Sequence, residues 1–197
     1  RSLFQDNSTR EADDFLMSRT DFLSKVARRV AEPASNAPPG VKNSILTVAA
    51  GSYGLRPGGD DVTMPTGFDP RAAALFESIV EASYLVATAD GVFDDAEKNA
   101  FRTIVLEACR GAVASDSLEA LLADLADQLE EDGLDHRVQM VSKTINRTDQ
   151  QREVLRIATF LAFASGGVSD AELDVIEKMS RAFEIDDAEM QSVLKEV

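Results

Sequence analysis

Two stretches of this chain repeat one another 75 residues apart, and the repeat limits the fold more than any other feature. Leu85-Val86-Ala87-Thr88-Ala89-Asp90-Gly91-Val92-Phe93-Asp94-Asp95-Ala96-Glu97 aligns with Phe160-Leu161-Ala162-Phe163-Ala164-Ser165-Gly166-Gly167-Val168-Ser169-Asp170-Ala171-Glu172. Farther on, Phe101 and Ile104 align with Ile176 and Met179. Each copy reads as an apolar helix, a tight glycine turn and a second helix entered through an acid-rich cap. One such hairpin cannot bury its own apolar face, so the two copies are expected to pack together about a pseudo-twofold axis.

Helix punctuation is dense from residue 69 onward. Asp69-Pro70 reads as an N-cap followed by proline at the first helical position, where the missing N–H would be orphaned anyway. That helix is expected to end near Ala89, with Gly91 left-handed beyond it. Asp94 opens the next helix and Gly111 stops it. A third follows Ser115, with Leu118, Leu121, Leu122, Leu125 and Leu129 as its stripe and Gly133 past its end. Val138, Val141 and Ile145 mark a short fourth. Thr148 with Gln151 predicts a capping box for a fifth, Ser169 with Glu172 opens a sixth, and Asp186 with Glu189 the last. No alternating pattern competes, so residues 70–197 read as an all-α domain of about seven helices.

Two segments precede it. Phe15, Leu16, Phe22, Leu23, Val26 and Val30 share one face of a helix expected over about residues 10–31, with Arg19, Lys25, Arg28 and Arg29 as a basic face. Such a helix in the 1–32 segment suits packing on its own domain, docking on a partner, or peripheral contact with an anionic membrane through residues 10–31. Residues 33–69 form a Gly/Pro-rich connector without helical period. Within it Ser44–Val48 and Asp61–Met64 have strand character and suit a hairpin across Arg56–Gly59. An ordered wrap and a flexible tether are the other readings of this connector.

Charge is divided unevenly. Residues 1–69 carry 9 acids and 8 bases, whereas residues 70–197 carry 26 acids and 12 bases. The net charge of −15 argues against nucleic acid, which is held by clustered Lys and Arg, and favours cations or basic protein surfaces. Residues 115–135 hold 8 acids and no base, which suits a solvated face or docking to a basic partner, with Arg19–Arg29 of the same chain as one candidate. The one cysteine, Cys109, excludes an internal disulfide and a thiolate cluster, fits a reducing compartment, and reads as core. The one histidine, His136, is expected at a helix surface and leaves zinc and Ser-His-Asp chemistry without parts. No phosphate loop, dinucleotide fingerprint or nucleophile elbow occurs, and Gly51–Gly54 reads as turn residues. No apolar run approaches the ~18 residues of a membrane span. Because the chain starts at Arg1, a preceding leader is left open.

The pattern Ala89-Asp90-Gly91-Val92-Phe93-Asp94-Asp95-Ala96-Glu97, its second copy, and the close Phe183-Glu184-Ile185-Asp186-Asp187-Ala188-Glu189 resemble the TerB family of tellurite-resistance proteins over residues 75–190. The resemblance implies a cytoplasmic or membrane-associated helical domain that binds divalent metal through acidic residues. It implies a module of stress-response assemblies rather than an enzyme.

Physical chemistry leaves two readings of the acids. Asp94 and Glu97 satisfy the capping-box rule without any ligand. Asp90 sits at the electronegative end of a helix, where a carboxylate costs a few tenths to ~1 kcal/mol unless offset. Asp90, Asp94, Asp95 and Glu97 crowd one short turn, which a hard cation such as Ca²⁺ or Mg²⁺ would relieve. An Asx turn on the Gly91 bend is the competing account of Asp90. An EF-hand is excluded, because Val86 and Thr88 fall where its first ligands belong. In the second copy Ser165 replaces Asp90 and Gly167 replaces Val92, so Ser169, Asp170 and Glu172 form a poorer ligand set. The expectation is therefore a non-enzymatic module that binds a divalent cation and a protein, in a stress-response or envelope-associated complex. The alternative is a metal-free adaptor that docks a basic partner, or itself, through acidic helices and the N-terminal arm.

Overall fold

The computed structural model describes the backbone of residues 5–57, 67–91, 93–164 and 167–197, with side chains from residue 18 onward within those stretches. The described residues are helical, without a strand. In chain order the helices are α1 (Gln5–Ala31), α2 (Ile45–Tyr53), α3 (Pro70–Ala87), α4 (Asp95–Ala108), α5 (Ser115–Asp132), α6 (Leu134–Thr144), α7 (Thr148–Ala164), α8 (Asp170–Ala182) and α9 (Asp187–Leu194).

The first helices of the two repeats, α3 and α7, pack on one another at the centre. Both are apolar over most of their circumference, as a helix surrounded by others must be. Phe76, Ile79, Val80, Leu85 and Val86 of α3 and Val154, Leu155, Ile157 and Leu161 of α7 are buried. Their few buried hydroxyls turn back on the helix: Ser83 Oγ donates to the Ile79 carbonyl (2.9 Å) and Thr159 Oγ1 to that of Leu155 (2.8 Å). Around this pair, α1 lies on α4 and α7, α2 on α3, α5 and α6 on α3, α8 on α6 and α7, and α9 on α7. The first helices of the two copies thus pack together, as expected.

Caps follow the sequence at most ends. Asp69 accepts the Arg71 amide at 2.9 Å with Pro70 just inside α3, and Gly91 takes φ +80°. The box expected at the start of α7 differs: Thr148 is already helical, and Gln151 donates its side-chain amide to the Ile145 carbonyl (2.8 Å) instead. At α9, Asp186 accepts the Glu189 amide (2.8 Å), but the Glu189 carboxylate is drawn to Arg152 (2.9 Å).

The expected hairpin is not formed, because Ser44–Val48 opens α2. Its proposed partner, Asp61–Met64, lies outside the described residues. Ser44 caps α2 by accepting the Thr47 amide (3.3 Å), and Glu153 of α7 accepts the Ile45 amide (3.0 Å). Burial of Leu46, Ala49, Ala50 and Tyr53 then overrides the β-branched local preference. Gly51–Tyr53, expected as turn, complete this helix, and Gly54 is its C-cap. A Cβ on Gly54 would lie 1.8 Å from the Ala112 carbonyl oxygen, so glycine is required by close approach.

The N-terminal helix packs on its own chain. Leu23, Val26, Ala27, Val30 and Ala31 are buried, while Phe22, expected on the same face, is 38% exposed and meets the ring of Phe163 at 6.2 Å. Phe15 and Leu16 lie outside the described side chains. Arg156, itself 3% exposed, donates to the carbonyls of Arg29 (3.1 Å) and Glu32 (2.7 Å) just where α1 ends. Its charge is balanced by Glu153 at 3.7 Å. One ion pair on α7 thus closes the end of α1 and the start of α2. The acidic face of α5 is not what receives α1. Cys109 is buried and burial pushes its thiol up to about 12, as a core cysteine requires, and His136 is exposed.

Candidate functional site

The first repeat turn is built from the end of α3. Thr88 caps that helix and donates its hydroxyl to the Tyr84 carbonyl (2.9 Å), and the Gly91 amide returns to the Thr88 carbonyl (3.0 Å). Asp90 stands exposed in this turn. Asp94 and Glu97 form the expected capping box: Asp94 Oδ1 accepts the Glu97 amide (2.8 Å) and Glu97 Oε2 accepts the Asp94 amide (3.0 Å). Asp95 is exposed at the first position of α4. The second copy repeats the box, with Ser169 Oγ accepting the Glu172 amide (3.2 Å) and Glu172 Oε2 accepting the Ser169 amide (2.8 Å). Glu172 is buried, Asp170 exposed, and Ser165 lies outside the described residues.

The donors of the first turn are all oxygen, the chemistry that Ca²⁺ and Mg²⁺ prefer. Geometry favours the capping role for two of them. Asp94 and Glu97 each commit one oxygen to the backbone, and among the described residues no three His, Cys, Asp or Glu side chains are gathered as a metal site.

The turn adjoins a groove of about 610 Å³ between α4 and α5, a size typical of ligand pockets. Its apolar surface comes from Tyr84, Phe93, Leu122, Ala123 and Ala126, and Asp95, Lys98, Arg102 and Glu119 bring charge. Tyr84 stands edge-on to Phe93 at 5.5 Å, and Phe93 edge-on to Phe101 at 6.0 Å, so the floor is braced by the core. Arg102 closes one end by donating to Ser115 Oγ (3.0 Å) and pairing with Glu119. Burial raises the Tyr84 phenol above its ordinary pKa.

Sequence reasoning found the turn but missed this groove, because it forms between helices from separate parts of the chain. The one legible hint was Ala123 and Ala126, small residues on a helix otherwise crowded with acids.

A second pair of buried ions is structural. Arg137 grips Glu81 through Nε (2.7 Å) and Nη2 (2.6 Å) and Asp132 through Nη1 (3.0 Å), fastening α6 to α3. Burial, the largest influence, raises the Glu81 pKa against the pull of Arg137.

Among the described residues no helix is long and apolar enough to cross a membrane. No curated protein and no solved structure gives a significant match. The family model for Tellurite resistance protein TerB matches residues 76–195.

Proposed function

Because this chain belongs to the TerB family over residues 76–195, we propose that it is a non-enzymatic binding module of a tellurite-resistance-like stress-response or envelope-associated assembly. It docks a partner protein that presents a basic surface. The observation that carries this reading is the placement of the charge: α5 exposes Asp116, Glu119, Asp124, Asp127, Glu130 and Glu131, and Glu119 borders the same groove as the exposed Asp95 of the first repeat turn. A field of one sign steers and orients an oppositely charged protein. Reversing Asp124, Asp127 and Glu131 to Lys tests it by affinity capture with cross-linking. Partners recovered by the native chain should be lost, and full retention by a variant that still melts cooperatively overturns the reading.

A second reading is a Ca²⁺ or Mg²⁺ site at Asp90, Asp94, Asp95 and Glu97, with Ser169, Asp170 and Glu172 as a poorer set. It is favoured by the exposure of Asp90, Asp94 and Asp95 within one turn, and by the single oxygen that Asp94 and Glu97 each use in the box. Millimolar divalent salt should then raise the melting temperature by mass action, and Asp90→Asn should abolish the rise. Equal rises in the native chain and Asp90→Asn would remove Asp90 from the ligand set, and no titration heat with either ion would end this reading.

A further inference from the structure

We infer that the α4–α5 groove receives an amphipathic helix of a partner protein, with an apolar ridge seated on Tyr84, Phe93, Leu122 and Ala126 and Lys or Arg residues along its flanks. The inference rests on the partner-docking reading above and names where the partner sits. Two helices leave a trough of about 610 Å³ with an aromatic floor, and Ala123 and Ala126 on its α5 wall let another backbone approach closely. That is the geometry in which an apolar helix face is buried between two others.

Charge selects the occupant. On α5, residues three and four apart share a face, so Glu119 and Asp127 border Ala123, Glu130 borders Ala126, and Asp116 lies one turn before Glu119. All four are exposed, and the segment 115–135 contains no base to offset them. Asp95 adds a carboxylate at the α4 end of the trough. Of the two bases in the lining, Arg102 pairs with Glu119, so these two offset one another, and Lys98 is left with Asp95, Asp116, Asp127 and Glu130. An acidic helix would place its carboxylates against this rim; a basic one answers it. The Tyr84 hydroxyl offers a polar contact at the floor.

The second repeat lacks the counterpart. At the positions of Lys98, Asn99 and Arg102 it has Leu173, Asp174 and Glu177, and Val168 stands for Phe93. The groove is therefore a property of the first copy.

Fluorescence anisotropy of the full chain tests this with a labelled helical peptide of about 14 residues, built from Leu on one face and Lys on the other. Its partner probe has Glu in place of each Lys. The Lys peptide should bind at least tenfold tighter than the Glu peptide. Ala126→Trp or Ala123→Trp should weaken it at least tenfold, whereas Ala120→Trp, on an exposed part of α5 outside the lining, should leave it unchanged. Thermal melts confirm that each variant is folded. If both filling variants bind the Lys peptide as the native chain does, the groove is not the seat, although loss of that binding on reversing the α5 acids would keep the acidic-surface reading. If the Lys peptide fails to bind, or the Glu peptide binds equally well, the groove assignment is wrong whatever the capture experiment returns.

Discussion

Gly54 and Glu153 show how much single residues decide here. At Gly54 the chain passes so close to Ala112 that a methyl group would overlap a carbonyl oxygen. Gly54→Ala should therefore destabilise the fold by about 2 kcal/mol or more, through displaced backbone rather than helix propensity, which favours alanine. Equal or higher stability in urea would show that the loop yields freely. Glu153 and Glu81 carry a pH signature. Burial, the largest influence on each, raises both pKa values above the ordinary 4.5, although the Ile45 amide and Arg156 pull Glu153 down and Arg137 pulls Glu81 down. The folded chain then holds protons that the unfolded chain has released. The stabilising contribution is complete below the unfolded value and is lost as pH rises through the raised folded value. In urea titrations across that window, Glu153→Gln should show a shallower fall of unfolding free energy with rising pH than the native chain. Parallel slopes would mean that Glu153 titrates as it does when unfolded.

At the scale of elements, the N-terminal third is the instructive part. The family model begins at residue 76, yet the core includes Leu23, Val26 and Val30 of α1 and Leu46, Ala49 and Ala50 of α2. Each buried aliphatic side chain contributes roughly 1.5–3 kcal/mol relative to exposure, so these two helices are too apolar to omit without consequence. A chain starting at residue 68 should lose cooperative thermal unfolding and bind a hydrophobic dye, because the faces of α3, α4 and α7 beneath them become wet. A sharp melt at the native temperature would show that the second half is self-sufficient. The helix ends also show what local reading misses: Glu189 was legible as half of a capping box, but Arg152, 37 residues away, offers it a stronger charged partner.

For the whole molecule, the charge division and the internal repeat converge on one architecture. Two copies of a helical hairpin make the centre, and the acids ride on helices added around it. Asp94 with Glu97 and Ser169 with Glu172 were readable as caps because a cap is satisfied within four residues. The groove was not, because Tyr84, Arg102 and Ala126 belong to three helices whose approach no local pattern encodes.

Period, caps and repeat are short-range instructions written in side-chain type and spacing, and they set the helices of residues 70–197, most of their ends and the pairing of α3 with α7. Tertiary packing alone turned Ser44–Val48 from a strand-like run into a capped helix, since its N-terminus is completed by Glu153 from over a hundred residues away. Packing also seated α1 on α4 and α7 and left the trough beside the first turn open, because burial and long-range hydrogen bonds outweigh propensities of a few tenths of a kcal/mol per residue.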